Sequence, residues 1–498
     1  MNIVTPPEHV DGVLVRAVLP AAVGVLAVIM RLVPVLRGGG LFGLGNYDDG
    51  VHFAAALGLV HGRLPYRDFL LLHPPGIVVA LAPFAAVSGL IGDAHALAVA
   101  RVAFMAVGAL NAILILHILR PVGTSGAVVG AGFYAVFFPA VYIEHSTQLE
   151  GLATTCVLGA VLIITRSGPA ARTGRLSPLI AGVLLGASSS IKIWGVVAAV
   201  ALAVWALVVL GRRGAMLLVA GCGLGAALIC LPFFIAAPTD MWRMVVLDQL
   251  GRPQTSVGLG TRVRLILGLN AAGLGAPVWI AAAGAAVIGC ALIAWRSRLG
   301  RLAVVLLIAD TGLLLATPPF FQHYAGLTAA PLALVVGSAT ALGIRRIRSA
   351  RLRTWTAIAL VLAGTLLAIP SIGSTYGRVF PAATLRPAVL AVPGCVTADD
   401  PTALLQLDVL SRNLERGCRL VVDLGGYSYD LQPRNRSFVS RRSNLPWQRA
   451  AIRYLGGGSV TMVLRFTRRF GFDPLSAATV RSWTVIKRAQ PFLVRDPR

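Results

Sequence analysis

The sequence predicts a mainly α-helical, polytopic transmembrane bundle that carries a small extracytoplasmic α/β domain at its C-terminal end. Three observations carry this prediction. Hydrophobic residues make up 57% of the chain and charged residues only 13%, with a mean hydropathy of +0.80, whereas an ordinary soluble domain is about 25% charged. Apolar runs of about 17–25 residues recur through the transmembrane part, residues 1–375, each long enough to cross a hydrocarbon layer of about 30 Å as a helix. Arginines gather in short loops between these runs, so the net charge of +25 reads as a positive-inside topology signal and not as the footprint of a nucleic-acid partner.

The first apolar run, 17–36, is preceded by no basic n-region and is expected to remain as an anchor. Basic loops at 166–175, 211–214, 296–301 and 345–353 are assigned to the cytoplasm. Alternation then makes 179–191 and 194–210 an out-and-back pair turning near Lys192 on the outer side. Runs 215–235, 277–295, 302–316, 327–343 and 355–372 follow in turn, leaving 236–275, 317–326 and everything beyond about 374 outside. Between the exit of the first span and an outer loop at 142–151 lie the runs 76–91, 96–119 and 122–141. Parity requires that one of these fail to cross, for a total of about eleven to thirteen spans. The apolar stretch 50–62 is too short to span and reads as a helix lying in the membrane interface. No internal repeat is visible, which weighs against inverted-repeat transporter folds.

From about residue 376 the composition becomes mixed polar, as expected of a small domain outside the membrane. Asp400-Pro401 is a helix start, cap then first-turn proline, and Gly417 a stop. Segments 419–424, 460–464 and 483–486 read as strands and 446–455 as a helix. Cys156, Cys222, Cys230 and Cys290 lie in apolar runs and behave as small hydrophobes. Cys395 and Cys418 fall in the polar domain, where an even pair is compatible with a disulfide in an oxidising compartment.

The first outer loop holds Asp48-Asp49 just beyond a span, and His73-Pro74-Pro75 before the next apolar run. Two carboxylates beside lipid are costly and point to a water-filled pocket. One of them would take a proton from an attacking hydroxyl; the competing reading is an acidic first turn of the helix that follows. The loop 139–151 offers Glu144, His145 and Glu150, which would bind an acceptor, orient the base or simply top a helix. Glu144 and His145 with Asp48 would make an oxygen and nitrogen set for a divalent cation, with no diagnostic spacing, so metal dependence stays open.

The acidic pair after the first span, the helix beside it and the basic residue before Pro-Pro resemble the GT-C superfamily of glycosyltransferases, in particular the protein O-mannosyltransferase and lipid A aminoarabinose transferase branch. By that resemblance Asp48 takes the place of the catalytic aspartate, with Asp49 second. The branch usually carries Asp-Glu where this chain has Asp48-Asp49. Where aminoarabinose transferases have Glu-Lys-Pro, the chain has Leu72-His73-Pro74, so His73 stands in for the lysine. Lys192, one of only two lysines, lies in a stretch similar to the element that approaches lipid-linked phosphate, although a snorkelling lysine would look the same. Residues 320–324, which include His323 and Tyr324, are similar to a short outer loop of the superfamily. There His323 would contact donor phosphate or the loop would be an aromatic interface anchor. Arg252 is a further candidate for phosphate.

The resemblance implies a multi-pass cell-membrane enzyme with its site and C-terminal domain outside. It would move one sugar from a polyprenyl-phosphate carrier to an envelope glycan, lipid or protein acceptor, with fixed cations stabilising the departing phosphate. Nucleotide sugars, being cytosolic, are not the expected donors, since the acidic loop faces away. A flippase for lipid-linked sugars is the alternative; it requires paired broken helices and mid-membrane ionisable residues, of which Asp310 is the one doubtful instance. A ligase that moves whole glycan chains would share the carrier pocket.

Overall fold

The computed structural model describes residues 17–37, 39–166, 176–252, 257–271, 273–373, 377–432, 439–467 and 471–498. The basic loop expected at 166–175 lies, beyond Arg166, outside the described residues. Eight helices are long and apolar enough to cross a membrane. The 42-residue helix Gly195–Ala236 is broken at Gly211, where φ is +74°, so that it forms two passes. Thr124–Val136 and Phe138–Glu144 form one more, bent by 57°, and the shorter Leu176–Ile191 another. Eleven crossings result among the described residues, within the expected range.

The turn at Gly211 follows from packing. A Cβ added at Gly182 or Gly186 would fall 2.0 Å from the carbonyl oxygen of Leu218 or 2.2 Å from that of Cys222; at Gly221 or Gly225 it would fall 2.1 Å from that of Leu179 or 2.2 Å from that of Val183. The two helices therefore run parallel with backbones in contact through reciprocal Gly-x-x-x-Gly faces. The segment 195–210 between them must run the opposite way.

The parity problem near the N-terminus also resolves. Gly76 abuts the carbonyl of Ser190, next to the Lys192 turn, while the far end of the run, at Gly92, meets the C-terminal domain. There Ser411 donates to Asp93 and Ala94 N–H donates to Asp408 Oδ1 at 2.9 Å. Both ends of Gly76–Ile91 sit on the face that bears the domain, so this is the run that does not cross.

The helix read as lying in the interface spans Tyr47–Val60, and its residues from Asp49 to Gly58 are buried. It is covered by protein and not by lipid: Gly50 lies against Thr402 and Gly58 against Leu420 of the C-terminal domain. One apolar core therefore runs from this helix into the domain, and a second fills the bundle.

The domain has a four-stranded sheet in the order β1-β2-β4-β3, with β1 at Val396–Ala398, β2 at Val460–Met462, β3 at Thr484–Ala489 and β4 at Phe492–Asp496. β1 and β2 are parallel, Val396 opposite Val460, and the other pairs antiparallel. Segment 419–424 is not a strand. Its alternate residues are buried in two different cores, which imitates a strand pattern, but the Leu424 carbonyl accepts from Trp447 Nε1 at 2.8 Å and no ladder forms. The helix expected from Asp400 to Gly417 is two: Asp400 caps Pro401–Gln406, and Asp408, at φ +54°, separates it from Leu410–Glu415. The helix near 446–455 is present as Leu445–Gly456. Cys395 and Cys418 are joined, with Cα atoms 5.9 Å apart.

Candidate active site

At the junction of bundle and domain lies a cavity of about 540 Å³. Its floor comes from the first turn of Tyr47–Val60, which presents Asp48. Its wall comes from the loop after Arg298–Ala316, with His323 and Tyr324, and its roof from the C-terminal domain, with Asp423, Arg441 and Arg465. The cavity brings together four of the residues named from the sequence: Asp48, His73, Arg252 and His323.

Asp48 and Asp49 separate because adjacent helical residues point about 100° apart. Asp48 faces the cavity, and among the described residues no hydrogen bond reaches it. Asp49 is fully buried in the opposite direction. Its carboxylate pairs with the Arg101 guanidinium and accepts from Thr147 N–H at 3.0 Å and Thr147 Oγ1 at 2.7 Å. Burial alone would raise its pKa; Arg101 and the Thr147 donors outweigh burial and hold it below the usual carboxylate range. Asp49, the second base expected from the sequence, thus lies outside the cavity lining, paired and fully buried.

Glu144 is likewise placed away from the cavity. It pairs with Arg31 from the first span, both fully buried, and accepts from Tyr134 Oη at 2.7 Å and Asn111 Nδ2 at 2.6 Å. A carboxylate so occupied has no lone pair left for a cation. His145 is buried with Nδ1 facing the Val141 carbonyl at 3.3 Å, beside Asp49 and Arg101 in a separate small void. The metal set of Glu144, His145 and Asp48 is therefore not assembled, and among the described residues no group of three His, Cys, Asp or Glu could hold a metal.

Glu150 and Lys192 lie behind the cavity wall. The Lys192 ammonium pairs with Glu150 and sits 4.4 Å from the Tyr324 ring centroid and 4.8 Å from that of Trp194. Being 3% exposed, Lys192 does not snorkel. Glu150 Oε1 is in turn 3.8 Å from His323 Nε2. The chain Lys192, Glu150, His323 runs from the interior to the cavity surface.

His73 is delivered by a loop whose Tyr66, at φ +70°, donates from Oη to the His73 carbonyl at 2.7 Å. Burial, and then the positive fields of Arg252 and its neighbours, push the imidazole well below its ordinary value, so it is neutral at pH 7. Arg252 donates to Tyr324 Oη at 3.4 Å and stacks 4.9 Å from the Tyr429 ring centroid.

The domain residues were not legible in the sequence. The loop carrying Arg465 and Phe466 is fixed by Asp399, whose carboxylate accepts the N–H groups of Leu464, Arg465 and Phe466 at 2.7, 2.8 and 2.7 Å. Burial pushes Asp399 up to about 6 despite these donors. Arg465 then pairs with Asp400 at 2.6 Å and reaches back to the Gly45 carbonyl at 2.8 Å, three residues before Asp48. Tyr47 Oη accepts from Gly425 N–H at 3.1 Å, docking the Asp423 loop on the same turn. After the last span the chain pairs Arg378 with Leu44 through N–H···O bonds of 2.7 and 2.8 Å, bringing a further guanidinium to the cavity. Arg252, Arg378, Arg441 and Arg465 thus line it against the carboxylates Asp48 and Asp423, an excess of fixed positive charge suited to an anionic group beside one free base.

A multi-pass helical bundle whose cavity is roofed by a small α/β domain is a fold shared with solved membrane proteins. Two solved structures match nearly the whole chain. ArnT from Cupriavidus metallidurans in the apo state has a TM-score of 0.61 at 16% identity, covering 97% of each chain. The same protein bound to undecaprenyl phosphate has a TM-score of 0.60 at 16% identity, covering 97% of this chain and 98% of that one. The oligosaccharyltransferase of Archaeoglobus fulgidus, tethered with an acceptor peptide, has a TM-score of 0.53 at 12% identity over 82% of this chain and 64% of its own. No protein family and no curated protein matches the sequence.

Proposed function

We propose that this chain transfers a sugar from a polyprenyl-phosphate carrier to an acceptor on the face bearing the C-terminal domain. The observation that carries the reading is the cavity itself, which sets Asp48, without a hydrogen-bond partner among the described residues, among guanidinium groups and two imidazoles. The same fold in ArnT of C. metallidurans has been solved with undecaprenyl phosphate bound, which supports a lipid phosphate as the anion. Asp48 accepts the proton of the acceptor hydroxyl as its oxygen bonds to the anomeric carbon. The bond from that carbon to the phosphate oxygen breaks, and its electron pair leaves with the polyprenyl phosphate. Arg252 and His323 stabilise the growing charge, while His73, neutral, offers a hydrogen bond. Lys192 acts from behind, holding Glu150 so that His323 faces the cavity.

The domain face is assigned to the outside. Arg212 and Arg213 lie at the Gly211 turn, and Arg296 and Arg345 end helices at the opposite face, the pattern of cytoplasmic loops. The Cys395–Cys418 disulfide is suited to an oxidising compartment.

The test is transfer of radiolabelled sugar from synthetic polyprenyl-phosphate donors to membrane acceptors by the wild type and Asp48→Asn at matched expression. Transfer by the wild type with a loss of about 10²–10⁴-fold in the variant is expected. Full activity of the variant would remove Asp48 as base. Movement of a labelled lipid-linked sugar across vesicles without transfer would instead establish the flippase.

A further inference from the structure

A second cavity of about 380 Å³ opens on the face opposite the domain, among the ends of Asp93–Leu119, Leu149–Arg166 and Arg298–Ala316. We propose that it binds the phosphate-bearing headgroup of an anionic membrane lipid. Its polar lining is entirely cationic or neutral: Arg166, Arg296, Arg298 and Arg345 with His117, Thr165 and Ser297. Arg345 is anchored on the Val122 carbonyl at 2.8 Å. Ser297 Oγ accepts from Gly300 N–H at 3.0 Å, which fixes the turn carrying Arg296 and Arg298 at the positive end of a 19-residue helix. Among the described residues none of the four arginines forms an ion pair. The sequence explains why: between Glu150 and Asp399 its only acids are Asp240, Asp248 and Asp310. The first two belong to the segment at the domain face, and Asp310 lines a different void beside Ser188 and Trp194.

A positive-inside signal needs only arginines in loops; it does not need a cavity. Here the guanidinium groups surround a space of ligand size, and the remaining walls, Ile118, Leu162, Trp205 and Leu342, are apolar. A charged rim over an apolar wall at the end of spanning helices matches a lipid better than a free anion, because the acyl chains continue along the helices while the phosphate meets the arginines.

Native mass spectrometry of the purified full chain tests this with phosphatidylglycerol and phosphatidylcholine of identical acyl chains, with and without millimolar inorganic phosphate. The wild type is expected to retain phosphatidylglycerol preferentially, and inorganic phosphate to leave it bound. Arg296→Gln/Arg298→Gln should weaken retention by roughly thirtyfold, while Arg212→Gln/Arg213→Gln, basic residues at the Gly211 turn outside the cavity, should not. Equal retention of both lipids by the wild type would overturn the proposal without recourse to any variant. Equal loss in the two variants would overturn it in favour of a diffuse basic surface, and displacement by inorganic phosphate in favour of a free-anion site.

Discussion

The contrast between Asp48 and Asp49 gives the sharpest test of the site. Arg101→Met removes the cation that faces a fully buried carboxylate. Breaking a buried pair by removing one partner costs about 3–5 kcal/mol, a large part of the roughly 5–15 kcal/mol that holds a folded domain. Asp49→Asn should cost a similar amount, since it also weakens the charged acceptor for Thr147 N–H and Oγ1. Removing both charges, in Asp49→Leu/Arg101→Met, should cost about 2–4 kcal/mol less than the sum of the single losses, because neither variant residue strands an ion. Asp48→Asn, at the cavity surface, should alter stability by no more than about 0.5 kcal/mol while lowering transfer by about 10²–10⁴-fold. Thermal unfolding in detergent, read beside the transfer assay, separates the two carboxylates. The assignment fails if Asp48→Asn unfolds as early as Asp49→Asn, or if Arg101→Met unfolds with the wild type.

Three further outcomes are expected. Replacing Cys395 and Cys418 by serine opens a loop of 23 residues in sequence separation and should destabilise the domain by about 3 kcal/mol; unfolding of the wild type, but not of the variant, should respond to dithiothreitol. His73 is depressed by burial and then by Arg252, so the unfolded chain binds its proton more readily. The contribution of His73 is therefore intact above the unfolded value of about 6.5 and is lost as pH falls below it; His73→Gln should flatten the acid limb relative to the wild type in unfolding curves taken between pH 7 and 5. Gly221→Ala would set a methyl group 2.1 Å from the Leu179 carbonyl and should cost about 1–3 kcal/mol by overpacking, whereas Gly223→Ala, with nothing within 4 Å, should unfold with the wild type.

What could be read from the sequence is what depends on neighbours in the chain. Apolar length and arginine-rich loops are local properties, and they yield the bundle and its alternation because lipid admits only helices that satisfy their own backbone. The acidic first turn, the Asp400-Pro401 cap and the cysteine pair are short-range features too. The Gly-x-x-x-Gly faces of 182–186 and 221–225 were equally open to reading and show which helices touch.

Tertiary structure decided the rest, since each of those questions turned on a distant partner. Gly76–Ile91 fails to cross because Asp93 and Ala94, just beyond it, are held by Ser411 and Asp408, more than 300 positions away. Glu144 leaves the site because Arg31 claims it. Asp49 does so because the helix turns it towards Arg101 and Thr147. Asp423, Arg441 and Arg465 join the cavity with no motif to announce them, since a roof laid across the bundle is set by how the apolar faces of domain and helix fit, from Gly50 against Thr402 to Gly58 against Leu420. The sequence alone placed two adjacent carboxylates at the start of a helix just beyond the first span. Which one was free depended on where a guanidinium 52 positions further along the chain came to rest.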